Sequence, residues 1–197
     1  MGTIATVEVR IPWWREQHYY DQDGRGTWAR DGGGVLITQA IHTLDIMLLL
    51  CGPVKEVQGL IHTSALHKLE AEDFSGALLN FESGARGTLM ASTTHFPGHK
   101  EEIILNCSEA TVNISGADLK VFYQNGKIES LETDSQTGSG SDPMDFSYTW
   151  HANVIEQFWT QFTKNQQIEI SAESALPVQQ LIDAIVRSSK LEKKVTV

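Results

Sequence analysis

Residues 53–131 repeat one theme, short apolar–polar alternations separated by tight-turn residues, and this limits the fold more than any other feature. Residues 53–66, 73–81, 85–94, 100–107, 110–115, 119–123 and 127–131 each read as a strand. Ser83-Gly84 and Ser108-Glu109 are turn signals between neighbours. Asn125-Gly126 is the strongest, because the favoured two-residue hairpin turn needs positive φ at both central positions. The pattern predicts a meander of antiparallel strands. In its first strand Val54, Val57 and Leu60 break strict alternation, which predicts a bulge or a partly buried edge. Residues 3–10 add an alternating strand that starts almost at the first residue, suggesting that the natural chain extends further upstream. Residues 195–197 add an edge strand.

A sheet of this kind must bury one face under a second layer. Three helical stretches are available. The first follows Asp31-Gly32-Gly33-Gly34, with Asp31 as the predicted N-cap and the glycines permitting a tight turn or a close approach. Ile37, Ile41, Leu44 and Leu48 then fall on one helix face, while Thr38, His42 and Asp45 fall on another. Residues 146–162 form the second helix, with Trp150, Val154, Phe158 and Phe162 as a core stripe and Ile155 and Trp159 beside it. The third runs from Ser171 or Ser174 through Lys190, with Pro177 in its first turn, where proline is tolerated. Its inward residues are Leu176, Leu181, Ile182, Ile185 and Val186. Residues 134–145 are polar and glycine-rich and read as a mobile loop; residues 168–170 are a short extended piece. The expected fold is α+β: a large open, mostly antiparallel β-sheet with helices packed on one face. Its other face, of mixed polarity, is left available to another subunit.

The 197 residues fit one sizeable domain or two small ones, and the net charge of −10 at a pI near 5.1 argues against a nucleic-acid or anionic-membrane partner. Cys51 and Cys107 make no disulfide framework and read as small apolar residues, which fits a cytoplasmic setting. No secretory signal is visible, and residues 44–51 are too short to cross a bilayer. Neither Gly32-Gly33-Gly34 nor Gly138-Ser139-Gly140 has the spacing of a dinucleotide-binding loop. No metal site is expected, since Pro97-Gly98 breaks any helix between His95 and His99 and no cysteine pair exists. A nucleophile elbow and a Walker loop are also missing.

Two groups of residues remain as candidates for chemistry. Residues 11–30 crowd Trp13, Trp14, Tyr19, Tyr20 and Trp28 together with Arg10, Arg15, Arg25, His18, Asp21 and Asp23. Aromatic faces and charged hydrogen-bonding groups of this kind suit a carbohydrate pocket, and they also suit a loop packed over the sheet. The second group is Thr38, His42 and Asp45. Spacing alone leaves His42 open to two readings, a satisfied residue pairing with Asp45 or a proton-transfer group.

The run from Asp31 to Asp45, followed by Gly52-Pro53-Val54, resembles the second half of a Gfo/Idh/MocA-type oxidoreductase. Trp13-Trp14-Arg15, Tyr19-Tyr20 and Arg25-Gly26-Thr27-Trp28 upstream belong to the same likeness. So do His151 to Phe158, Ala172-Glu173-Ser174-Ala175 and Ala184 to Ser188 downstream. The resemblance implies that residues 1–197 are a single C-terminal substrate-binding and oligomerisation domain. The family's N-terminal Rossmann domain, which binds NAD or NADP and supplies a lysine near the reacting carbon, is absent here. No cofactor is expected on this chain alone, and the fragment is expected to be inactive. The implied activity is hydride transfer between nicotinamide and a sugar, cyclitol or sugar derivative. His42 is the implied catalytic residue, with Thr38 and Asp45 supporting it; the family often has an aspartate where Thr38 stands, so an Asp–His pair does not carry over. Arg15, Tyr19, Tyr20, Arg25, Trp28 and His151 are implied substrate contacts, and a homo-oligomer through the open sheet face is expected. The alternative is a non-catalytic sugar-binding or oligomerisation module of the same fold.

Overall fold

Strand β1 (Ile4–Pro12) runs through the middle of the sheet and buries Val7, Val9 and Ile11 almost completely. In the computed structural model, which describes residues 1–133, 148–168 and 171–197, two meanders flank it. On one side lie β2 (Val54–His62), β3 (Phe74–Phe81) and β4 (Arg86–Ser92). On the other lie β5 (Glu102–Cys107), β6 (Ala110–Ser115), β7 (Asp118–Tyr123) and β8 (Ile128–Leu131). The short β9 (Val195–Thr196) closes the far edge, giving one nine-stranded sheet in the order β8-β7-β6-β5-β1-β4-β3-β2-β9.

The expected hairpins form, and so does the bulge, as a register shift between Val54 and Glu56. The insertion of β1 between the two meanders was not expected. Its pairing with β4 is parallel, with Val9 opposite Leu89, whereas the other neighbouring strands run antiparallel. Parallel neighbours cannot be joined by a tight turn, so no local turn signal announces them.

The helices are α1 (Gln17–Tyr20), α2 (Trp28–Asp31), α3 (Ile41–Cys51), α4 (Thr149–Thr163) and α5 (Leu176–Leu191). A π turn, Leu36–Ala40, leads into α3, and a 3₁₀ turn, Glu173–Ala175, leads into α5. Helices α3 and α5 pack on each other and on one sheet face. The approach of α5 to β2 is close enough that a Cβ at Gly59 would lie 2.6 Å from the Ile185 carbonyl oxygen. Along that contact the Gly59 and Ile61 amides donate to the Ser188 and Ser189 hydroxyls at 2.9 and 3.0 Å. Because β9 pairs with β2 only at Glu56 and Val57, these serines satisfy strand amides that the edge leaves open.

The start of the α3 segment differs from the sequence expectation. Asp31 does not cap it: Asp31 ends α2, and its carboxylate accepts from the Gly26 amide at 2.7 Å. The cap comes from a distant residue, Glu72, whose carboxylate accepts from the Gly34 and Leu36 amides at 3.0 and 3.1 Å. Its carbonyl takes the Val35 amide at 2.8 Å. Gly34 is obligatory here, because a Cβ would lie 1.8 Å from the Glu72 carbonyl oxygen. Burial raises the Glu72 carboxyl, while its backbone hydrogen bonds act in the opposite direction.

The buried stripe also differs. Leu36, Ala40, Leu44, Met47 and Cys51 are buried, whereas Ile37, Ile41 and Leu48 are only partly so. The π turn inserts an extra residue per turn and rotates the face that meets the sheet. By length and composition Trp28–Cys51 could span a bilayer, but half of it is buried in the protein, as in a core helix. Cys51 is buried and Cys107 partly buried, both as free thiols, and burial pushes the Cys51 thiol up to about 11.

The expected core stripe on α4 is not core. No residue of α4 is buried, and Trp150, Phe158 and Phe162 are exposed. The helix is amphipathic, but no described element covers its apolar side. The open sheet face is mixed, as expected. One row across it runs Leu78, Thr88, Glu8, Ile104, Asn113, Lys120. The predicted loop at 134–145 and most of the extended piece at 168–170 lie outside the described residues.

Candidate active site

The loop after β1 is anchored to the end of β4. The Trp13 and Arg15 amides donate to the Ser92 and Thr93 carbonyls at 2.9 and 3.0 Å. This holds Arg15 at 3% exposure, with its guanidinium donating to the Trp14 carbonyl at 2.7 Å. The guanidinium carbon lies 5.2 Å from the Trp13 ring centre and 5.5 Å from that of Tyr19. The Arg25 guanidinium lies 4.7 Å from the same Tyr19 ring. Tyr19 therefore gathers two cations against its ring, where a negative π face favours positive charge.

Tyr20 faces inward. Its hydroxyl shares a 2.7 Å hydrogen bond with that of Thr93, and its ring packs on His67 with centroids 4.9 Å apart. Burial pushes its phenol up to about 12. Below it, His67 joins the Asp73 carboxylate at 2.8 Å through Nδ1 and the Arg15 carbonyl at 2.9 Å through Nε2. Burial on its own would raise the Asp73 carboxyl. The bonds from His67 and from the Ser64 hydroxyl and amide outweigh it, holding the group below the usual carboxylate range. This buried network is the floor on which the cationic loop rests.

The loop is tied to the helix by Gln39, whose side-chain amide donates to the Tyr19 hydroxyl at 3.3 Å. Thr38 donates to the Gly34 carbonyl at 2.6 Å and contacts the Gln39 carboxamide oxygen. Both residues lie in the π turn. His42 follows within the next turn, exposed, as is Asp45. Among the described residues neither side chain has a hydrogen-bond or ion-pair partner, so the reading in which His42 pairs with Asp45 is not realised. They share the outer side of α3 with the exposed Ile46, Leu49 and Leu50; Leu49 is 85% exposed.

The structure therefore brings Arg15, Tyr19, Tyr20 and Arg25 together and links them to Thr38 through Gln39. It turns Trp28 away from them. Trp28 looks toward α5, beneath Lys190 at 5.2 Å, and lines a separate cleft of about 250 Å³ with Gly33, Ile37 and Ile182. His151 is exposed in the first turn of α4. Gln39 and Glu72 were not singled out from sequence. Gln39 had a signal, a buried polar residue in an apolar helix. Glu72 had none, since its target amides are distant in sequence. Among the described residues, no three His, Cys, Asp or Glu side chains converge as a metal site would require. An exposed imidazole can exchange a proton near neutral pH, and guanidinium edges can hold hydroxyl or anionic oxygens.

The family described as the GFO/IDH/MocA C-terminal domain matches residues 1–113. This chain belongs to that family. Comparison with curated protein sequences gives no match. Among solved structures, it resembles the WlbA dehydrogenase of Bordetella pertussis in complex with NADH and UDP-GlcNAcA, at 25% identity and a TM-score of 0.79. It resembles the Chromobacterium violaceum WlbA dehydrogenase at 26% identity and a TM-score of 0.76. Levoglucosan dehydrogenase, at 18% identity and a TM-score of 0.78, shares the fold. All of this Gfo/Idh/MocA chain is covered in each case, but it spans only 55%, 55% and 59% of those three chains.

Proposed function

We propose that this chain is the substrate-side domain of an NAD(P)-dependent oxidoreductase acting on a sugar, a cyclitol or a sugar derivative. One observation carries the reading. His42 stands exposed, with no side-chain partner among the described residues, just beyond Gln39, the residue that ties its helix to the Arg15–Tyr19–Arg25 cluster. The WlbA complexes hold NADH and UDP-GlcNAcA, and a levoglucosan dehydrogenase complex holds NADH and levoglucosan. These similarities support a nicotinamide partner and a sugar-like substrate.

Among the described residues, the glycine-rich helix start is not open to the cofactor's phosphates. Helix N-termini bind phosphate through free amides, but at the glycine-rich start Glu72 already takes those of Gly34 and Leu36. NAD or NADP is therefore assigned to a separate domain of the whole protein, where it would accept or give hydride at the substrate carbon. The work left to this chain is to position the substrate and exchange its hydroxyl proton. In this reading His42 is the proton-transfer residue. Tyr19 and Arg25 contact substrate oxygens, Arg15, at 3% exposure, backs the Tyr19 ring from the protein side, and Thr38 steadies Gln39 beneath Tyr19. Asp45, one turn beyond His42, is an exposed negative neighbour. Tyr20 is excluded from the contacts because its hydroxyl is engaged by Thr93, and Trp28 because it faces α5.

The test is a titration of this chain with NADH and NADPH, followed by fluorescence. No tight binding is expected, and micromolar affinity would overturn the division of labour. The open sheet face is assigned to a second copy, because a broad uncovered face is satisfied by an isologous pairing. Light scattering across a concentration series should show self-association; a strictly monomeric folded sample would contradict it.

A further inference from the structure

Arg25 differs from the other arginines that meet an acid. Arg10 pairs with Glu102, Arg30 with Asp31, and Arg187 with Asp183. Among the described residues Arg25 has no carboxylate partner: its Nε is buried without a hydrogen bond, and the guanidinium stacks on the Tyr19 ring at 4.7 Å. The chain carries 25 acidic against 15 basic residues, so a half-buried guanidinium without a counter-charge stands out. Burying a cation without a partner is unfavourable. Stacking on a ring restores part of that loss and leaves the planar edge and its N–H donors for another molecule. Arg15, on the same Tyr19 ring, adds a second positive charge from the protein side.

We propose that the Arg25 guanidinium reads a negative charge on the substrate and is the specificity-determining residue. The ligand class is an anionic sugar, bearing a carboxylate or a phosphate, each of which matches the guanidinium edge. The proposal rests on the sugar-pocket reading above and deepens it. Tyr19 fixes the plane of the two cations, and Gln39 fixes Tyr19 to the helix that carries His42. A charged group held at Arg25 would thus be registered against the proton-transfer residue.

The experiment titrates the whole chain with D-glucuronate, glucose 6-phosphate and neutral glucose, by calorimetry and by tryptophan fluorescence. A hydrogen bond to a charged group corresponds to a preference of about ten- to a hundredfold for an anionic sugar over glucose. The glucuronate and phosphate arms distinguish the two anion sources. Arg25→Gln should bring the anionic sugar down to the level of glucose, and Arg25→Lys should retain part of the preference. Circular dichroism of both variants checks that they are folded, and the wild-type comparison needs no variant. Equal binding of all three sugars would overturn the charge assignment while leaving the pocket in place. Retention of the full preference by Arg25→Gln would also overturn it. Absence of binding by every sugar would overturn both the pocket and this proposal.

Discussion

Helices α4 and α5 are written in the same language and treated differently by the fold. Each carries an apolar stripe at helical spacing. In α5 the stripe is Val178, Leu181, Ile182, Ala184 and Ile185, all buried against β2 and α3. In α4 it is Trp150, Val154, Phe158 and Phe162, with none buried. The outer side of α3 goes with α4: Ile46, Leu49 and Leu50 are as apolar as its inner side, yet exposed. Amphipathicity states that a face must be covered, and it does not state by what. The protein thus has packed faces, where side chains hold the fold, and open faces, and His42 lies on one of these, the outer face of α3. Substitutions should cost stability on the first and function on the second.

The largest stability effect should come from the packed side. Leu181 is fully buried, and Leu181→Ala should destabilise by about 2–5 kcal/mol through lost contact and the cavity left behind. Phe158→Ala on α4 should change stability by less than about 0.5 kcal/mol. Urea unfolding of both variants makes the comparison, and similar losses would erase the distinction between the two helices.

Tyr20 gives the packed side a pH signature. Its phenol is neutral when folded, with the pKa raised from 10.0 to about 12 by burial. The stability from this group is fully present below pH 10 and is lost as pH rises through the folded value. The loss approaches roughly 3 kcal/mol. Tyr20→Phe should remove this alkaline component at a cost of about 1–3 kcal/mol for the stranded Thr93 hydroxyl. Denaturant titrations between neutral and alkaline pH check it; an unchanged alkaline slope would show that another group is responsible.

A smaller effect is expected at Glu72. Glu72→Gln keeps one acceptor but turns a donor toward the other amide, and should cost about 1–2 kcal/mol. Hydrogen exchange should speed up at Gly34 and Leu36 specifically. Uniform change across the chain would mean that Glu72 supports the core generally and not the start of the helix.

Much of the sheet was legible because its signals are local. Alternation marked the strands, and Ser83-Gly84 and Asn125-Gly126 marked two of the hairpins. The parallel β1–β4 pair was not legible, because its partners are far apart in sequence and joined by no turn. The cap by Glu72 failed for the same reason, and Asp31 stood nearer. On α3 the sequence is apolar nearly all round, so periodicity could not choose the buried stripe once a π turn shifted the phase. The site was half legible: the Arg15, Tyr19, Tyr20 and Arg25 loop came together. Trp28 went to the α5 side, although sequence adjacency had grouped it with the loop, and Gln39 was passed over for its exposed neighbours.

In the proposed reading His42 is where the outer face of α3 meets the chemistry, and His42→Asn in the full-length protein tests that directly. The residue is exposed and has no partner among the described residues, so thermal stability should stay within about 0.5 kcal/mol of wild type. Losing a general acid–base group should lower kcat by about 10²- to 10⁴-fold, with cofactor affinity nearly unchanged. A variant that keeps kcat within about threefold of wild type, far below that range, would contradict the assignment of proton transfer to this domain.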